Sequence, residues 1–149
     1  MNRQRISNRS GFTLLEILVV VMIITILASI VSVNVLRKPA EARISAAKMQ
    51  IKQLQTALQV YRTEQSRLPT QEQGLEALVA KPTVDPIPEK YPDEGYLESR
   101  KLPQDPWKHD YIYLVPGRKG EPYEIMSYGG DGEPGGEGEA ADISSSELQ

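Results

Sequence analysis

A chain of 149 residues has room for one modest core plus a long helix, and 40 % apolar with 25 % charged residues is the composition of a folded protein, not a disordered one. Arg3, Arg5 and Arg9 are the only charged side chains before Phe12, so removing residues 1–11 takes the formal charge from −3 to −6 and leaves no basic cluster for nucleic acid. With no cysteine and one histidine, disulfides, thiolate nucleophiles and Cys- or His-rich metal sites are excluded, and the lone His109 reads as a surface or turn residue.

Residues 1–11 are short, polar and basic. Residues 12–35 then run as "FTLLEILVVVMIITILASIVSVNV", 24 residues in which Glu16 is the only charge. As a helix this segment would be about 36 Å long, enough to cross a bilayer core with some tilt. The preceding arginines place the N-terminus on the cytoplasmic side. A secretory signal peptide is the simpler alternative, but its apolar region is shorter and Ala28-Ser29-Ile30 is a weak cleavage site. Glu16 poses a question of its own, because an ionised carboxylate in lipid is costly unless a partner meets it.

Helical character continues beyond the apolar run. Ile44, Ala47, Ile51, Leu54, Leu58 and Tyr61 recur at steps of three and four, while Lys48, Gln50, Lys52, Gln55 and Arg62 lie off that stripe. Phe12 to about Glu64 therefore reads as one helix, apolar all round in its first half and amphipathic in its second. Pro39 is its one breaker, expected to kink it or sit in a turn. In "LPTQEQGLEALVAKP" a short helix is predicted, with Thr70 and Gln73 as a capping box and Pro82 past its end; Gly74 weakens it.

The proline-rich residues 81–106 read as an ordered loop. Within it Asp105-Pro106-Trp107 reads as a rigid turn carrying an aromatic plug for the core. "DYIYLV" (110–115) and "YEIMSY" (123–128) are predicted strands of a hairpin, one face on the helix stripe and the other part-covered by loop. The architecture is thus α+β, a long helix packed on a small antiparallel sheet. The tail "GGDGEPGGEGEAADISSSELQ" holds six of the eleven glycines and six acidic residues. Its segment 131–142 offers the oxygens and pliable backbone that hard cations require. It is no EF-hand, since Gly135 stands at the fifth position and no helix pair flanks it. On composition alone, a disordered acidic tail fits equally well.

The basic leader, Gly11-Phe12-Thr13-Leu14-Leu15-Glu16 and the apolar helix resemble prepilins. "LPTQEQGLEAL", "LPQDPW" and "SYGGDG…ADI" narrow the match to the major pseudopilins of the bacterial type II secretion system, over nearly the whole chain. The resemblance implies a type IV pilin-like fold and three regions: a removed leader (1–11), a transmembrane and assembly helix (12–35) and a periplasmic globular domain (36–149). It implies cleavage between Gly11 and Phe12 by a prepilin peptidase, N-methylation of Phe12, and pairing of Glu16 with the Phe12 amine of a neighbouring subunit. It also implies one Ca²⁺ in the glycine loop, held by the side chains of Asp131 and Asp142 and the carbonyls of Tyr128 and Glu133.

The implied role is a non-catalytic subunit of a periplasmic fibre that supports export of folded proteins. Its implied partners are further copies of itself, minor pseudopilins, inner-membrane assembly proteins and, before assembly, membrane lipid. A type IV pilus or competence fibre is the alternative. A tethered enzyme using Asp105, Asp110 or Glu121 is the other class, without any visible nucleophile–base constellation. This chain departs from the family pattern in having Thr25 and Val33 where Gly and Pro are common, and Ala141 where some relatives carry a second acid. Ser144-Ser145-Ser146 replaces Gly-Asn-Trp, so the far C-terminus is expected to be less ordered.

Overall fold

In the computed structural model, residues 11–148 are described, with the side chains of residues 29–38 excepted. Arg3, Arg5 and Arg9 of the expected leader, and the side chain of Val33, lie outside the described residues. The chain divides into two compact units, Met1–Pro39 and Ala40–Gln149. Helix α1 (Leu14–Gln65) contributes to both and contains Pro39, so of the two expectations at that proline, a kink or a turn, the turn does not form. Thr25, one of the departures noted above, donates its hydroxyl to the Val21 carbonyl one turn earlier, at 2.8 Å. Among the described residues no helix is long and apolar enough to cross a membrane. The expected span 12–35 includes residues 29–35, whose side chains are not described.

α1 stops where Ser66 turns into the left-handed region at φ 57°, with Pro69 three residues on. Every member of the predicted stripe from Ala47 to Tyr61 is fully buried, and Ile44 packs on its edge. Against the stripe lie Leu75, Leu78, Tyr113, Ile125 and Ile143. A side chain at each step of three or four faces one side of a helix, and the core forms where that side meets the rest of Ala40–Gln149.

The predicted short helix after Thr70 forms only in part. Its capping box is made: the Gln73 amide donates to Thr70 Oγ1 and the Thr70 amide to Gln73 Oε1, each at 3.1 Å. Yet residues 71–74 are a turn, and only Leu75–Leu78 continue, as a 3-10 helix. Gly74 is the reason, since at φ 61° and ψ −166° it leaves helical space altogether. The proline-rich loop is ordered, as expected. Tyr96 stacks edge-on against Tyr61 with ring centroids 5.1 Å apart, and its amide donates to the Leu78 carbonyl at 2.7 Å.

Strands β1 (Ile112–Leu114), β2 (Glu124–Ser127) and β3 (Ile143–Ser144) form one antiparallel sheet in the order β1-β2-β3. The hairpin pairs Ile112 with Met126 and Leu114 with Glu124. β2 is buried on both faces, more than the expected partial cover. The C-terminus corrects a second expectation. Ser144 and Ser145 are buried, and β3 pairs Ile143 with Ser127 and Ser144 with Met126. The Ser145 hydroxyl oxygen accepts from the Ile125 amide at 2.9 Å, and the Ser144 hydroxyl donates to Glu124 at 2.6 Å. The serines are therefore an integral sheet edge, not a loose end.

Glu124 itself is fully buried, and Arg118 meets it with three donors: Nε and the backbone amide at 3.0 Å, Nη2 at 2.9 Å. The side-chain hydrogen bonds from Arg118 hold its carboxyl down at about 2; burial opposes this, and Ser144 and the Arg118 amide reinforce it. A lowered folded-state pKa stabilises above the unfolded value, and that stabilisation fades as pH falls from there toward about 2. Glu124→Gln is accordingly expected to cost about 2 kcal/mol at pH 7, the scale of hydrogen bonds to a charged group. The difference between variant and parent should shrink progressively in urea melts repeated toward pH 2.

Candidate functional site

Two places carry the residues singled out in the sequence. At the N-terminal end, Gly11, Phe12 and Thr13 precede the helix in non-helical backbone. Phe12 is 78 % exposed, and a Cβ built on Gly11 would meet nothing within 4 Å. Both residues of the Gly11–Phe12 bond are thus exposed. Thr13 caps the helix: its Oγ1 accepts from the Glu16 amide at 3.1 Å, and its carbonyl from the Ile17 amide at 3.2 Å. Thr13-Leu14-Leu15-Glu16 has the spacing of a capping box, which places Glu16 at the third helical position, in the electropositive first turn. The Thr-x-x-Glu spacing is the sequence signal for this role of Thr13.

From Leu14 to Leu27 the large apolar side chains are exposed, every one at least 44 %. A surface so continuous has to be covered by something, and Glu16 is the only charged group within it.

The second place is the acidic glycine loop, which is folded rather than a disordered tail. Asp131 Oδ1 accepts from the Glu133 amide at 3.1 Å, and Asp142 Oδ1 accepts from the Gly135 amide at 3.0 Å, closing the loop upon itself. Gly129 stands at φ 67°, where a Cβ would lie 2.8 Å from the carbonyl oxygens of Glu139 and Ala141. Only glycine accommodates that approach. Tyr128 is half-buried and Glu133 exposed. Among the described residues no three His, Cys, Asp or Glu side chains converge as a metal-holding group. The loop carries five carboxylates, Asp131, Glu133, Glu137, Glu139 and Asp142, and oxygen is the donor type that a hard cation takes.

The loop is braced from outside by Trp107, Arg43 and His109. Trp107 is half-buried at the rim of the core, and its indole donates to Glu139 at 2.9 Å. Arg43 on α1 donates to the same carboxylate oxygen at 2.8 Å. These two partners, the indole first, hold the Glu139 carboxyl below its ordinary range. His109 Nδ1 lies 3.2 Å from the Gly129 carbonyl, so this turn residue also supports the loop.

Asp105, buried to 3 % exposure, organises the turn beneath. Its carboxylate accepts from the Trp107 amide at 3.0 Å, the His109 amide at 2.8 Å and the Ser127 hydroxyl at 2.5 Å. Asp110 is engaged by Gln104 and Glu121 by the Lys119 amide, so the three carboxylates of the enzyme reading are tied to separate partners.

Residues 34–146 match the family described as type II secretion system (T2SS), protein G. The chain belongs to that family. Residues 6–32 of this protein G family member match the prokaryotic N-terminal methylation motif, which encloses Gly11, Phe12 and Glu16. The type II secretion system core protein G of Pseudomonas aeruginosa is 47 % identical over 135 residues, covering 91 % of this chain and 93 % of that protein. The Vibrio cholerae core protein G is 45 % identical over 146 residues, covering 98 % and 97 %. The crystal structure of the major pseudopilin from the type 2 secretion system of enterohaemorrhagic Escherichia coli superposes with a TM-score of 0.63 at 41 % identity, over 75 % of this chain and 93 % of that one. The fold and family implied by the sequence motifs are thereby shown. In this family member, the protein G match spans both loop aspartates and the buried Ser144–Ser145 edge.

Proposed function

We propose that this protein G family member is the major subunit of a periplasmic fibre, a structural component of type II secretion and not a catalyst. The observation that carries the reading is the start of α1: an exposed Gly11–Phe12 bond, a Thr13 cap and Glu16 one turn in, at the head of an apolar surface, within the matched methylation motif. In this reading a prepilin peptidase removes residues 1–11 and methylates Phe12. Residues 12–35 anchor the chain in the inner membrane with the N-terminus cytoplasmic, then stack in the fibre. Minor pseudopilins and inner-membrane assembly proteins complete the apparatus.

Glu16 has a partner only after processing. Before the cut no amine exists at Phe12; afterwards a cationic terminus lies four residues from an anion, and neighbours can pair them across copies. Methylation leaves that terminus a secondary amine, still protonated near neutral pH. Two such charges about 4 Å apart attract by about 4 kcal/mol at an effective dielectric of 20. That contact sets register among helices whose apolar surfaces otherwise slide.

A calcium ion in the glycine loop is part of the same proposal. Asp131 and Asp142 would supply carboxylate oxygens, and Tyr128 and Glu133 their carbonyls. The ion would tie the two ends of the loop, a substitute for disulfides in a chain without cysteine.

Mass spectrometry of the mature chain tests the processing step. The expected N-terminus is Phe12 carrying one added methyl group. Fibres built of chains that retain residues 1–11 would refute assembly gated by cleavage.

A further inference from the structure

The charges of this chain are sorted by segment. Residues 42–63 of α1 hold Arg43, Lys48, Lys52 and Arg62 and no acid, whereas residues 120–149 hold eight acids and neither lysine nor arginine. Between them the two signs are mixed, as in residues 81–101, where four bases stand among five acids.

Most of these groups are answered within their own chain. Glu124 meets Arg118, Glu139 meets Arg43, and Glu147 lies 4.0 Å from Lys119, whose amide donates to Glu121. Asp131 and Asp142 accept from loop amides. Lys48 shares a groove with Asp142 and Glu147. That leaves Glu133 and Glu137 on the loop and Lys52 and Arg62 on the helix. All four are exposed, and among the described residues none is in an ion pair. Lys52, Gln55, Gln59 and Arg62 recur at steps of three and four, so the two cations stand on one helix face.

A heterologous contact, one surface on a copy and a different one on the next, grows an open filament when its rotation does not close. Two unanswered anions and two unanswered cations on one chain are the halves of such a contact. Loop tip repels loop tip and helix face repels helix face, so the same charges disfavour the self-paired dimer that would end growth.

We propose that Glu133 and Glu137 at the loop tip of one copy pair with Lys52 and Arg62 on α1 of the next, as a repeating contact between globular units in the fibre. This rests on the assembly reading above and adds which two faces meet. The carboxylates of Glu133 and Glu137 are outside the ligand set proposed for calcium, so the two roles of the loop are separable.

Exposed pairs add little affinity one by one, but like charges opposed at every repeat are costly, so the test reverses charges rather than removing them. Lys52→Glu with Arg62→Glu, and separately Glu133→Lys with Glu137→Lys, are made in the full chain, produced with the prepilin peptidase and assembly proteins. Each reversal is expected to cut the number of fibres seen by electron microscopy by about tenfold or more, and all four substitutions together to restore it. Lys52→Cys with Glu137→Cys gives a second readout that reverses no charge. In a chain without native cysteine, oxidised fibres of this variant should yield a ladder of dimers, trimers and larger species, while each single variant stays monomeric.

Three results would each overturn the contact and leave the assembly reading standing. They are normal fibre numbers after the helix reversal, no recovery from the loop reversal in a chain that reaches the membrane at the parental level, and cysteine-paired fibres without a ladder. No fibres from the unsubstituted chain would overturn the assembly reading and this contact with it.

Discussion

Glu16→Gln is expected to leave the chain in the membrane, cleaved and methylated, yet to abolish fibres. The substitution keeps the side chain's size and the Thr13 cap, whose bond is to the backbone amide of residue 16 at 3.1 Å. It removes only the charge. Two accounts of that charge differ in magnitude. As a helix-start carboxylate in the first turn it contributes about 0.3–1 kcal/mol through the macrodipole, within its own chain. As the partner of a neighbour's Phe12 amine it contributes about 4 kcal/mol at each contact, close to a thousandfold in association per subunit added. Electron microscopy of sheared fibres, with fractionation of membranes from the same cells, separates the two. Fibres of normal number and length would reduce Glu16 to a capping residue.

Chelation is expected to produce the second large effect. If calcium binds the folded loop and not the unfolded chain, a thousandfold excess over its dissociation constant stabilises by about 4 kcal/mol. For a fragment of residues 36–149 this corresponds to roughly 15 °C in melting temperature, at about 4 °C per kcal/mol for a domain of that size. Asp142→Ala should abolish the response to added calcium, because it removes both a carboxylate donor and the acceptor that closes the loop on the Gly135 amide. Magnesium should be the poorer substitute, since it demands a tight octahedron that a pliable carbonyl loop does not supply. Thermal melts of the fragment with calcium, with magnesium and with chelator make the measurement. Superimposable melts would remove the ion from the account and leave the loop held by its own hydrogen bonds and by Trp107, Arg43 and His109.

Those three braces show where sequence reasoning reached and where it stopped. The core stripe from Ala47 to Tyr61 was legible because a helix repeats every 3.6 residues, so the pattern of one buried face is written locally. The Thr70–Gln73 capping box was legible for the same reason, three residues apart in sequence and bonded in both directions. What followed it was not, because a glycine is compatible with helix as well as with the positive-φ conformation that Gly74 adopts.

The family motifs lie in short contiguous runs, and the methylation motif and protein G matches agree with them. Ser144 and Ser145, by contrast, read as a polar tail. Each acquires its role from a partner twenty residues away, Glu124 for one and the Ile125 amide for the other. Asp105 reads as a turn residue and becomes the acceptor for Ser127, twenty-two positions on. Arg43 meets Glu139 across ninety-six.

The sequence by itself determined the helix and its two textures, the processing motif, the strands of the hairpin and the composition of the acidic loop. Each depends on neighbours within a few positions. The tertiary structure alone decided that the C-terminal serines close the sheet, that Glu124 is buried against Arg118, and that an indole and a guanidinium brace the loop through one carboxylate. Burial of a polar group is stable only when its partners are in place. Those partners are brought together by the fold, at separations no local pattern records.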